Sequence, residues 1–186
     1  MNKEIAIKNL KQFTDCLDEK YFLIYGTCLG ALREKDIIAH DLDIDIGIME
    51  GDFKFEMVNL IMSKGFSLER IFGMPTCGFE MSFRKNGVKV DLMLFYTNND
   101  LIWNSLWDNT CKNGLSDMIV HSYNADIFEL EQLKIGKNYF YSLGEKYIKA
   151  VYGENWRTPI TPWNWRTDHF CIDDNLKIEL IKKYGY

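Results

Sequence analysis

Asp41-Leu42-Asp43-Ile44-Asp45-Ile46-Gly47-Ile48 alternates polar and apolar residues up to its glycine. Asp41, Asp43 and Asp45 fall on one side and Leu42, Ile44, Ile46 and Ile48 on the other, the period-two pattern of a β-strand with one buried face. Neighbouring carboxylates in such a row stand about 6.6 Å apart at Cα, two strand rises. Three like charges in file repel and weaken a strand that has nothing to bind. A hard divalent cation removes the penalty, because Mg2+ takes carboxylate oxygens as ligands. The row reads as a metal site. The rival reading, an acidic edge strand whose charges deter aggregation, leaves the glycine-rich stretch upstream unexplained.

That stretch is Tyr25-Gly26-Thr27-Cys28-Leu29-Gly30. The apolar run Tyr21-Phe22-Leu23-Ile24-Tyr25 predicts a buried strand ended by Gly26, and residues 27–34 predict a short helix with Thr27 near its N-cap. A strand that turns into a helix through Gly-Thr aims free N–H groups at one spot, where phosphates bind, and Gly26 lets a ligand come close. Downstream, Asn86-Gly87 between the runs 79–84 and 88–95 is a strong hairpin signature. In the second run Val88, Val90, Leu92 and Leu94 share one face, leaving Asp91 on the other with Lys89 and Met93. An aspartate in so apolar a strand is costly unless paired or bound. If this strand neighbours 41–48, Asp91 becomes a third carboxylate beside Asp43 and Asp45.

The remaining chain sets the frame. It has 186 residues, 47% of them hydrophobic and 15% aromatic, enough to bury a proper core. We expect a single domain over 1–186, with a catalytic core at about 21–96 and further strands, helices and a Trp/Pro-rich segment at about 126–186. A net charge of -5 argues against a nucleic-acid binder relying on phosphate neutralisation. The five cysteines, Cys16, Cys28, Cys77, Cys111 and Cys171, never form a C-x-x-C pair and suit reduced thiols. No apolar run of membrane-spanning length or secretory leader stands out, so the expectation is a cytoplasmic protein with no membrane span.

Helices are expected over 3–19, over 53–63 with Phe55, Val58, Ile61 and Met62 buried, over 145–152 before Gly153, and over 173–184. Strands are expected around Gly136-Lys137-Asn138. Residues 97–124 read as polar and broken, with Trp103 and Trp107 anchoring a loop or short helix. His121 and His169 carry no partner pattern.

Taken together, Gly26-Thr27 before a helix, Asp43-x-Asp45 on a strand and Asp91 on a later strand resemble the nucleotidyltransferase superfamily. Within it, Gly26 to Arg33, Ile37-Ile38-Ala39-His40-Asp41-Leu42-Asp43-Ile44-Asp45 and Tyr152-Gly153-Glu154-Asn155-Trp156-Arg157-Thr158-Pro159 are similar to the LicD/fukutin family. The resemblance implies an α+β (α/β-like) nucleotidyltransferase fold, a mixed twisted β-sheet with flanking helices. It implies transfer of phosphocholine, ribitol phosphate or a similar group from a CDP-activated donor to a glycan hydroxyl. Asp43, Asp45 and Asp91 would be the catalytic and metal-binding residues, with Mg2+ or Mn2+ as cofactor. Gly26 and Thr27 would cradle a donor phosphate and Arg33 would neutralise it. Asp41, His40, Trp156 and Arg157 complete the substrate-binding candidates, each weighed against a structural role. Two rivals stand: transfer of NMP from an NTP to a small molecule or protein, and an inactive nucleotide-binding domain. Retention of all three aspartates speaks against the last.

Overall fold

The acidic strand, β2 (Asp43–Met49), lies between β1 (Tyr21–Leu23) and β5 (Val88–Asn98) in the computed structural model, which describes residues 1–108 and 110–185. It runs antiparallel to β1 and parallel to β5. The main sheet continues outward in the order β3-β4-β5-β2-β1-β9-β8. Here β3 is Ser67–Met74, β4 Cys77–Lys85, β8 Leu130–Ile135 and β9 Asn138–Leu143. β6 (Leu101–Leu106) pairs with the far end of β5 and then with β7 (Ile119–Asn124), making nine strands of mixed direction among the described residues. With five α-helices among the described residues this is the expected α+β class.

The alternation in β2 works as anticipated from Ile44 onward, but Leu42, expected on the buried face, precedes the strand and is exposed. Ile44, Ile46 and Ile48 are fully buried, as are Val90 and Leu92 on β5. Phe83 stands opposite Val90 on that face, and Phe13 of α1 (Lys3–Thr14) meets it edge-on at 5.3 Å. α1 thus covers the apolar face with Ala6, Leu10 and Phe13. The opposite face carries Asp43, Asp45 and Asp91. The β4–β5 hairpin turns at Asn86 and Gly87, both at positive φ as a two-residue type I′ turn requires.

Several elements differ from expectation. β1 ends at Leu23 and α2 (Tyr25–Arg33) begins two residues before the expected helix. Its N-cap is Ile24, without a side-chain cap, so Thr27 lies inside the first turn. Asp41 falls outside β2, in the preceding loop. α1 stops at Thr14, and the chain then turns through Asp18 and Glu19 at positive φ. α3 (Phe55–Ser63) buries Met57, Val58 and Ile61, while Phe55 and Met62 are exposed. Residues 97–124, read as broken, contain β6 and β7; β6 is buried on both faces and shows no alternation to read. β3 was not anticipated. The 130–143 hairpin, α4 (Glu145–Tyr152) ended by Gly153 at φ 79°, and α5 (Asp174–Tyr184) follow the sequence reading closely. Among the described residues no helix is long and apolar enough to cross a membrane.

Candidate functional site

Asp45 and Asp91 are direct partners across the β2–β5 ladder, and Asp43 stands opposite Lys89 two residues earlier on the same face. One carboxylate oxygen from each aspartate lies within 4.8 Å of the others. Lys89 reaches in from β5, its Nζ 2.9 Å from Asp43 Oδ2 and 2.7 Å from Asp91 Oδ2. Burial, then the charges of Asp43, Asp91 and Asp41, pushes Asp45 well above the usual carboxylate range. Burial also raises Asp91, against the opposing pull of Lys89. For Lys89 burial acts to lower the ammonium, but Asp91 and Asp43 outweigh it and hold the group charged.

These residues fit a hard divalent cation. The donor set is all carboxylate, and among the described residues Asp91 Oδ1 is buried without a hydrogen-bond partner.

β4 supplies the next wall. Counting back across the two-residue turn puts Ser82 opposite Asp91 and Glu80 opposite Met93, both on the acidic face. Glu80 is 5% exposed and its Oε2 has no partner among the described residues. Burial first, then Asp91, pushes its carboxyl well above the glutamate range.

The glycine turn forms the floor. The Thr27 hydroxyl accepts the Asp45 N–H at 2.9 Å, and Ile24 N–H donates to Asp45 O at 3.3 Å. Thr27 is thereby buried as a clamp between α2 and β2, its hydroxyl oxygen turned to the strand. A Cβ on Gly26 would come within 2.6 Å of Asp41 Oδ2, so the bare backbone there seats the Asp41 carboxyl. Asp41 is pushed up to about 7 by burial and by Asp43. Tyr25, at φ 42°, holds a left-handed conformation unusual for an aromatic residue. Its hydroxyl lies 2.8 Å from His121 Nδ1 and accepts from Asn104 Nδ2 at 2.8 Å. Its ring stacks on His169 at 5.4 Å.

A cleft of about 320 Å3 holds the three aspartates, with Glu80, Lys89 and Asp41. Its far wall is Tyr152, Trp163, Trp165, Arg166 and His169, and Arg166 pairs with Asp108 at the rim. A second chamber of about 190 Å3 adjoins it, sharing Gly26, Asp41, Tyr152 and Trp163 and lined further by Arg33, His40 and Trp156. Arg33 Nη2 contacts Glu34 Oε1 at 3.1 Å. Trp156 is buried, and Arg157 covers its ring at 4.2 Å while binding Glu145 at 2.8 Å. Arg157 lines neither space. The sequence reading missed Glu80, Ser82, Asp108, Tyr152, Trp163, Arg166 and His169, and gave Lys89 no role. Ser82, Glu80 and Lys89 had a signal in the strand alternation and hairpin register, and Tyr152 opens the 152–159 segment that the sequence singled out.

A family model described as LicD/FKTN/FKRP, nucleotidyltransferase domain, matches residues 18–139. The mouse protein named ribitol-5-phosphate transferase FKTN is 30% identical over 174 residues, 92% of this chain and 36% of that one. Its human counterpart is 29% identical over 165 residues, 88% and 34%. An uncharacterized protein of Caenorhabditis elegans is 31% identical over 130 residues, 67% and 34%. The chain spans about a third of the length of these curated relatives.

Proposed function

The chain belongs to the LicD/FKTN/FKRP family, and on that footing we propose that it transfers a phospho-alcohol group from a CDP-activated donor to a glycan hydroxyl. The carrying observation is the meeting of Asp43, Asp45 and Asp91 on two adjacent parallel strands, their oxygens within 4.8 Å. Phosphoryl transfer asks for alignment and charge stabilisation more than for covalent chemistry. Asp43, Asp45 and Asp91 would hold Mg2+ or Mn2+, which when bound neutralises the diphosphate and the charge developing on the departing CMP. Arg33 and Arg166 offer guanidinium groups to phosphate oxygens from the two chambers. Glu80, a cleft carboxylate outside the three ligands, takes the proton of the attacking hydroxyl once ionised. As the hydroxyl oxygen bonds to phosphorus, the bond to CMP breaks and CMP leaves.

The test pairs CDP-linked alcohols and NTPs with the purified chain, Mg2+ and glycan acceptors bearing free hydroxyls, with acceptor-free controls for hydrolysis. The proposal expects CMP from a CDP donor, and at least a hundredfold loss in Asp45→Asn with the melting temperature unchanged or raised. Pyrophosphate release from an NTP would establish NMP transfer instead. Asp45→Asn activity within a few-fold of the parent would remove the three aspartates from the chemistry.

A further inference from the structure

We propose that Lys89 is a displaceable counter-ion: its ammonium holds the cation position between Asp43 and Asp91, and divalent metal binding requires it to swing out. The proposal rests on the metal reading of the three aspartates.

The geometry points there directly. Lys89 Nζ contacts Asp43 Oδ2 and Asp91 Oδ2 at 2.9 and 2.7 Å, which places it between two of the three carboxylates that would hold the metal. An ammonium sharing those two oxygens with a divalent ion would be pressed against it, and like charges at such range repel strongly even at a protein's effective dielectric. Asp45, the third carboxylate, has no ion pair with Lys89. The lysine has room to leave: its side chain is 28% exposed, and its four-carbon stem is flexible. Asp41 and Glu80 line the same cleft, so an empty site without Lys89 would leave these five carboxyl groups with Arg166, already paired with Asp108, as the remaining cation lining the cleft among the described residues. Lys89 therefore stabilises the site when empty and weakens its hold on free metal. Its departure is favoured when an anionic donor supplies a new partner for the ammonium. Metal and donor would then assemble together rather than in sequence.

Binding of Mn2+ alone, read by electron paramagnetic resonance of the free ion, tests this on the full chain. Lys89→Met is expected to bind Mn2+ at least tenfold more tightly than the parent. Lys134→Met, which removes an equal charge from an exposed position on β8, is expected to match the parent. A Lys89→Met affinity within twofold of the parent, or an equal gain in Lys134→Met, overturns the proposal while leaving the metal site standing. Absence of Mn2+ binding in parent and Lys89→Met alike overturns the metal reading and the proposal together. A second readout needs no variant. Amine-reactive labelling of the parent, located by peptide mass spectrometry, should increase at Lys89 when Mg2+ is added. Unchanged or reduced labelling there counts against displacement.

Discussion

Thr27 shows how much one hydroxyl can hold in place. It accepts the N–H of Asp45, so the first turn of α2 fixes the height of the central carboxylate. Thr27→Val keeps the shape and removes the acceptor, leaving a buried N–H unpaired at a cost of about 1–3 kcal/mol. Urea unfolding should show that loss, and an unchanged midpoint would mean that water or another group takes over. The residues that matter were legible to different degrees. Asp43, Asp45 and Asp91 announce themselves because period two sorts each onto the face opposite a row of isoleucines or leucines. Ser82 and Glu80 were within reach, since the Asn86-Gly87 turn fixes which residues face Asp91 and Met93. Asp108, Arg166 and His169 were not: they meet the carboxylates only because the chain returns from far away, and no local pattern records that meeting. Thr27 was legible as part of the turn, but its bond to the strand was not. Gly-Thr before a helix suggests phosphate, and only the placement of β2 reveals the strand N–H that claims the hydroxyl.

At the level of elements, the β2–β5 pair organises the molecule. β5 continues beyond β2 to pair with β6, which joins the acidic face to the β6–β7 hairpin. That hairpin escaped the sequence reading for a physical reason. β6 is buried on both faces and so loses the alternation that identifies a strand, and the hairpin's connection is long rather than a two-residue turn. Gly47 marks the tightest packing inside β2. A Cβ there would run into the Phe22 ring and lie 2.9 Å from Phe95 Cε2. Both rings are buried and pack edge-on at 5.1 Å, so neither can withdraw cheaply. Gly47→Ala should cost about 1–3 kcal/mol by overpacking, read as a lower melting temperature. A neutral result would show that the β1–β2 pair slides to make room. Gly26 is different, because its neighbour is the far end of the Asp41 side chain.

For the molecule as a whole, the acid response should carry the mark of a buried imidazole. Burial lowers His169 from an ordinary value near 6.5 to about 4. Between those values the unfolded chain binds the extra proton and the folded one does not, so stability is present above pH 6.5 and is lost as pH falls toward 4. The shift corresponds to about 3 kcal/mol. Carboxyls raised by burial act in the opposite direction, so the comparison that isolates His169 is the parent against His169→Asn. Between pH 7 and pH 4 the parent should lose about 3 kcal/mol more than the variant in denaturant unfolding; parallel curves would show an imidazole that titrates normally. At this scale the α+β architecture was legible from strand and helix periods, but the far wall of the cleft was not, because it depends on where the chain crosses after α4. One consequence follows from the pairing of Asp45 with Asp91. Their backbones face each other across a parallel ladder, so peptide groups fix the spacing from which the two side chains reach out, a calliper frame about 4.8 Å wide. Drift in the distant core can weaken the frame without changing that gauge. On the metal reading proposed above, any preference for one ion radius over another would then be written in the pliable side chains around that frame.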